Sequence, residues 1–79
     1  MKVKNAKYIQ EYIIDVFFDD ETVKRIDFRN FLFSATNPMT TKYRNIELFK
    51  KVKVEYGNLS WGIDGEMELS AESLYNWND

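Results

Sequence analysis

Neither cysteine nor histidine occurs in this 79-residue sequence, and it holds only one proline and three glycines. Without cysteine there is no disulfide and no thiolate zinc site. Without histidine there is no imidazole ligand and no Ser-His pair. Gly57, Gly62 and Gly65 fit neither a dinucleotide nor a P-loop spacing, so no phosphate-cradling loop is encoded. The apolar runs fall far short of the roughly 20 residues that span a bilayer. Lys2, Lys4 and Lys7 ahead of an apolar stretch imitate an export signal, but Gln10, Glu11 and Asp15 interrupt it and no small-residue cleavage site follows. A cytoplasmic protein with no membrane contact is the expectation.

Aromatic residues are abundant: two Trp, five Tyr and six Phe. The length suits one small domain, 1–79, which buries only roughly 60% of the surface its unfolded chain exposes. Rings must therefore build the core unaided by crosslink or metal, each burying about 150–250 Å². So small a domain cannot easily hide all thirteen, and the surplus should face a partner.

The net charge of −2 hides an asymmetry. All eleven Lys and Arg lie between Lys2 and Lys53, and with eight acids up to Tyr56 that part carries +3. Asp64, Glu66, Glu68, Glu72 and Asp79 give the remainder −5 with no base. Either the acidic end docks across the basic part, or it offers an acidic patch to a basic partner.

Along the chain, Val3 to Tyr8 reads as a short strand and Glu11 to Phe18 as the clearest one. Tyr12, Ile14, Val16 and Phe18 alternate onto one face, as a central strand requires. Asp19-Asp20-Glu21 is a turn. Thr22 to Phe28 returns, and the changed parity of Val23, Ile26 and Phe28 predicts a bulge or strand end near Lys24-Arg25. Arg29 to Phe33 fits one helical turn, and polar Ser34 to Thr41, with the sole proline, fits a loop. Asn45 caps a helix to about Lys51 whose stripe is Leu48, Phe49 and Val52. Val52–Tyr56 and Leu59–Trp61 form a hairpin around Gly57-Asn58. Gly62 to Leu69 is a loop, and Ser70 caps a last helix. The order β-β-β-α-β-β-α predicts an α+β fold: an antiparallel β-meander with short helices packed on one face.

The run Thr22-Val23-Lys24-Arg25-Ile26-Asp27-Phe28, then Ile46 to Val54, then Gly57-Asn58-Leu59-Ser60-Trp61 and a closing Ser73-Leu74-Tyr75, resembles the small bacterial domain-of-unknown-function family 2442. Asp20-Glu21 stands where that family's pattern has Asp-Gly, Ile46 where proline is common, and Gly62 where proline usually follows the Trp. The resemblance covers nearly the whole chain. It implies a stand-alone small protein or a unit fused ahead of a helix-turn-helix domain, in some cases encoded beside another small protein in a toxin–antitoxin-like arrangement. It implies no catalytic residues.

Asp19-Asp20-Glu21 and Asp64-Gly65-Glu66 are the only acidic clusters that a hard cation would favour, and neither has the alternation of a calcium loop. Turn chemistry accounts for both. Ser34, Ser60, Ser70 and Ser73 lack a histidine partner, so no catalytic, metal or cofactor residue is assigned and no enzyme is expected. The preferred reading is a protein-interaction module, the antitoxin or accessory half of a two-protein locus. Its partner is another small protein encoded by an adjacent gene, with a homodimer as a second option. The candidates for touching that partner are Trp77, Tyr75, Trp61, Glu66, Glu68 and Glu72. Of the aromatics, Trp61 and Tyr75 are expected to close the core and Trp77, two residues from the end, to stay partly exposed. The alternative is a nucleic-acid-binding regulator using Lys24, Arg25, Arg29, Lys50, Lys51 and Lys53 against phosphates, an option that the acidic pI of about 5.1 disfavours.

Overall fold

A computed structural model describes residues 1–78; Asp79, counted above in the acidic end, lies outside the described residues. The chain is α+β, with two three-stranded antiparallel sheets in the orders β1-β2-β3 and β4-β5-β6. The first holds β1 (Val3–Gln10), β2 (Ile13–Phe18) and β3 (Val23–Asp27). The second holds β4 (Lys53–Glu55), β5 (Asn58–Trp61) and β6 (Met67–Leu69). Between the sheets run α1 (Arg29–Ser34), α2 (Pro38–Thr41), a 3-10 turn at Lys42–Arg44 and α3 (Ile46–Phe49). The last helix, α4 (Ala71–Tyr75), follows β6.

The alternation of β2 is fulfilled: Tyr12, Ile14, Val16 and Phe18 are all buried, and β2 is the central strand of its sheet. Two details differ from expectation. The segment Glu11-Tyr12 is a two-residue turn with Glu11 left-handed (φ 46°), so β1 runs on to Gln10 and β2 begins only at Ile13, two residues later than expected. And β3 has no bulge, since its register with β2 is unbroken from Ile13↔Asp27 to Phe17↔Val23. Val23 lies on the outer face, 53% exposed, and Lys24 takes the inward position opposite Val16. The parity change is a lysine pointing inward, not an extra residue.

Ser34 to Thr41 is not a loop throughout. Asn37 accepts from the Met39 N–H and Pro38 occupies the first turn of α2, the arrangement that suits a residue without an N–H. Asn45 likewise accepts from the Glu47 N–H, as expected of a cap. The second hairpin turns on Tyr56-Gly57 rather than Gly57-Asn58: Glu55 pairs with Asn58, and both turn residues have positive φ (52° and 78°), as a type I′ turn demands. Gly62 to Leu69 is likewise not a loop throughout, since it contains β6. Met67 faces inward opposite Trp61, and three residues with a Glu at the centre give too little alternation to read.

Rings fill the space between the sheets. Six of the thirteen aromatics are buried (Tyr12, Phe18, Phe28, Tyr43, Phe49 and Trp61), and only Phe33 and Tyr56 are exposed. Phe49 stacks on Trp61 at 5.7 Å and meets the edges of Tyr8 and Tyr12. Phe28 packs on both Phe49 and Trp61. The sheets are also tied by main chain, with Val3 N–H donating to the Gly57 carbonyl at 2.8 Å.

The β2–β3 loop exposes a local strain. Glu21 N–H donates to the Phe18 carbonyl and Phe18 N–H to the Thr22 carbonyl, a three-residue loop whose last residue must be left-handed. Glu21 has φ 72°, where a side chain costs about 1–2 kcal/mol, and its only return is an exposed pair with Lys4. Glu21→Gly should therefore raise stability by about 0.5–1 kcal/mol after glycine's entropic cost, read as a higher Tm in thermal unfolding.

Candidate interaction surface

The residues expected to contact a partner divide sharply by burial. Trp61 is fully buried, and its indole N–H donates to the Phe49 carbonyl at 2.8 Å, so it closes the core and cannot reach a partner. Trp77 is half-buried, tilted over Phe28 at 5.0 Å and edge-on to Phe31 at 5.4 Å. Tyr75 is also half-buried; it meets Phe18 edge-on and donates its hydroxyl to Asp20. Glu66 sits between Lys42 Nζ at 2.6 Å and the Tyr43 hydroxyl at 2.7 Å. Glu68 and Glu72 are exposed.

Lys24 explains why the C-terminal helix is held. Its Nζ donates to the carbonyl of Tyr75 (2.8 Å), at the helix end where acceptors are left unpaired and cations are favoured, and to that of Trp77 (2.7 Å) just beyond it. The acidic end thus docks on the basic part through Lys42–Glu66, while Lys24 holds backbone carbonyls rather than carboxylates.

The basic residues named for a nucleic-acid interface are not assembled into one. Lys24 points inward and Arg25 outward, on opposite faces of the sheet. Arg25 forks onto Asp15 through Nε (2.8 Å) and an NH2 nitrogen (3.0 Å), and this contact holds the Asp15 carboxyl below the usual carboxylate range. Arg29 pairs with Glu11 and stacks over Tyr12. Lys50 pairs with Glu47, and Lys53 approaches Glu55 at 3.8 Å, whereas Lys51 is exposed and makes no ion pair among the described residues. Arg44 donates to the carbonyls of Leu32, Phe33 and Ala35 while covering the Phe33 ring.

The acidic turns hold backbone. Asp20 accepts from the Thr22 N–H, which lowers its pKa, and Asp64 is left-handed in the short 3-10 turn before β6. Gly62 in that turn has φ 80°, and a Cβ there would meet the Tyr43 hydroxyl at 2.6 Å, so glycine lets the backbone close over the Tyr43–Glu66 pair. Ser60, flanked on its strand neighbours by Lys53 and Glu68, is fully buried with no hydrogen-bond partner for its hydroxyl, so no base is positioned to activate it.

The apolar surplus lies elsewhere, on residues that sequence reasoning did not single out. Phe33 (50% exposed) on α1, Met39 (51%) on α2 and Ile46 (37%) on α3 each project from successive short helices. Arg44, between them in sequence, fixes the first of these elements through its three carbonyl bonds. Reading Ser34 to Thr41 as a loop hid Met39; the Asn37-Pro38 pair was the available signal for a helix start.

A family model described as a protein of unknown function, DUF2442, matches residues 3–79. No curated protein and no solved structure matches the chain.

Two outcomes follow from these contacts. Lys24→Met keeps the apolar stem but removes the ammonium and its two hydrogen bonds, and should cost about 2 kcal/mol of stability, with Trp fluorescence shifting to the red as Trp77 loosens. The second concerns Tyr43, whose burial and proximity to Glu66 push its pKa from 10.0 up to about 12. Below pH 10 the phenol is protonated folded or unfolded. Above it the unfolded chain loses the proton first, so the stability Tyr43 contributes is lost as pH rises through about 12. Phenolate absorbance should show one tyrosine titrating last, together with alkaline unfolding, and Glu66→Gln should move that step to lower pH.

Proposed function

Because the chain belongs to the DUF2442 family, whose description assigns it no activity, we propose from its own surface that it is a protein-interaction module. The observation that carries this reading is the set Phe33, Met39 and Ile46, three large apolar side chains left in solvent by the three short helices between the sheets, of which α2 and α3 are capped by Asn37 and Asn45. Apolar surface held on ordered backbone loses little entropy on binding, which is how interface anchors work. The partner is a second small protein encoded beside this one, and the chain serves as the antitoxin or accessory half of the pair. Glu68 and Glu72 are exposed as well, acidic side chains suited to a basic partner.

The reading also accounts for the cations. Among the described residues Lys24, Arg25, Arg29 and Arg44, which would otherwise be available to phosphates, are tied to carboxylates or carbonyls. The experiment is co-expression with the neighbouring gene's product, followed by size-exclusion chromatography. Co-elution is expected, and Phe33→Ala, Met39→Glu and Ile46→Glu together should weaken the complex at least about thirtyfold with the fold intact by circular dichroism. Separate elution, or a complex indifferent to the three changes, would overturn it.

A further inference from the structure

The first sheet ends on an open edge. Phe28 N–H donates to the Tyr12 carbonyl and Phe18 N–H to the Thr22 carbonyl, so Tyr12–Phe28 and Phe18–Thr22 are the hydrogen-bonded pairs of the β2–β3 ladder. In an antiparallel ladder such pairs alternate. Ile26 and Lys24 therefore also bond β2, while the N–H and C=O groups of Val23, Arg25 and Asp27 point away from it. No backbone hydrogen bond from any other element reaches those three residues among the described residues.

The side chains on that edge are self-complementary. In an antiparallel pairing centred on Ile26 of two copies, Arg25 of each copy stands opposite Asp27 of the other. Both groups have capacity to spare. The Arg25 guanidinium spends two of its five N–H donors on Asp15. Asp27 accepts from the Arg29 N–H through Oδ1, leaving Oδ2 free. The pairing also places the outward main-chain groups of Arg25 and Asp27 against one another, for four hydrogen bonds across a two-fold axis.

We propose that β3 pairs with β3 of a second copy, joining two three-stranded sheets into one of six through the Arg25–Asp27 exchange. The five-residue edge is short, so the dimer is weak and exchanges with monomer. It uses a surface separate from Phe33, Met39 and Ile46 and does not depend on the partner reading above.

The test is the 79-residue chain over a concentration series, followed by sedimentation velocity and by amide hydrogen exchange in NMR. A dimer should appear with rising concentration, and the Arg25 and Asp27 amides should become protected in step with it. Asp27→Asn keeps the oxygen that caps Arg29 but loses the charge, and should weaken association about tenfold. Asp27→Arg, which sets two arginines opposite each other, should abolish it. A monomer at all concentrations would overturn the proposal. So would a dimer in which those two amides still exchange freely, or one unaffected by both substitutions.

Discussion

The bond from the Trp61 indole N–H to the Phe49 carbonyl is the constraint on which the rest of the structure hangs. A chain with no crosslink must bury its largest ring completely, and a buried indole needs an acceptor or forfeits much of the gain. Phe49 supplies one because α3 ends there: a helix terminus leaves carbonyls with no partner inside the helix. One contact thus satisfies a donor from β5 and an acceptor from α3. It also holds the two rings stacked, and around that pair Tyr8, Tyr12, Phe28 and Tyr43 assemble from the first sheet and the helical segment. Both sheets and the helical layer share this one cluster, so none of them has a core of its own.

The same economy governs charge. Lys24 and Arg44 are not paired with acids; they end on the carbonyls of Tyr75 and Trp77, and of Leu32, Phe33 and Ala35. Helices of four to six residues have as many unpaired end groups as longer ones but few internal bonds, so cationic side chains do for them what length does elsewhere. Those cations were placed by the backbone's need for donors.

How far the sequence could be read follows from the length of each element. Strand β2 was legible because four alternating positions, Tyr12 to Phe18, repeat one signal, and the caps Asn45 and Ser70 were legible because their side chains act on adjacent backbone. The family was legible from the order of its pieces. Strand β6 was not, since Met67-Glu68-Leu69 is too short to show a period. Lys24 was misread because a lysine facing inward looks like a shift of register, and only the distant carbonyls 51 and 53 residues away explain it. Trp61 and Tyr75 were expected to close the core and Trp77 to stay partly exposed, and the packing puts Trp61 inside and the other two half inside.

The support each ring receives decides what the exposed ones mean. Of thirteen aromatics only Phe33 and Tyr56 remain in solvent, and they differ in support. Tyr56 stands at the tip of a hairpin, 94% exposed, in a left-handed position that limits it to the turn. Phe33 is braced by Tyr12 edge-on at 5.6 Å and by the Arg44 guanidinium at 5.0 Å. Tyr12 in turn donates its hydroxyl to the Arg44 carbonyl, so ring, guanidinium and phenol fix one another. A side chain held so firmly while half its surface stays wet has lost its rotamer freedom before any partner arrives. The entropic part of binding has been met by folding, and this separates Phe33 from an aromatic that is merely left over.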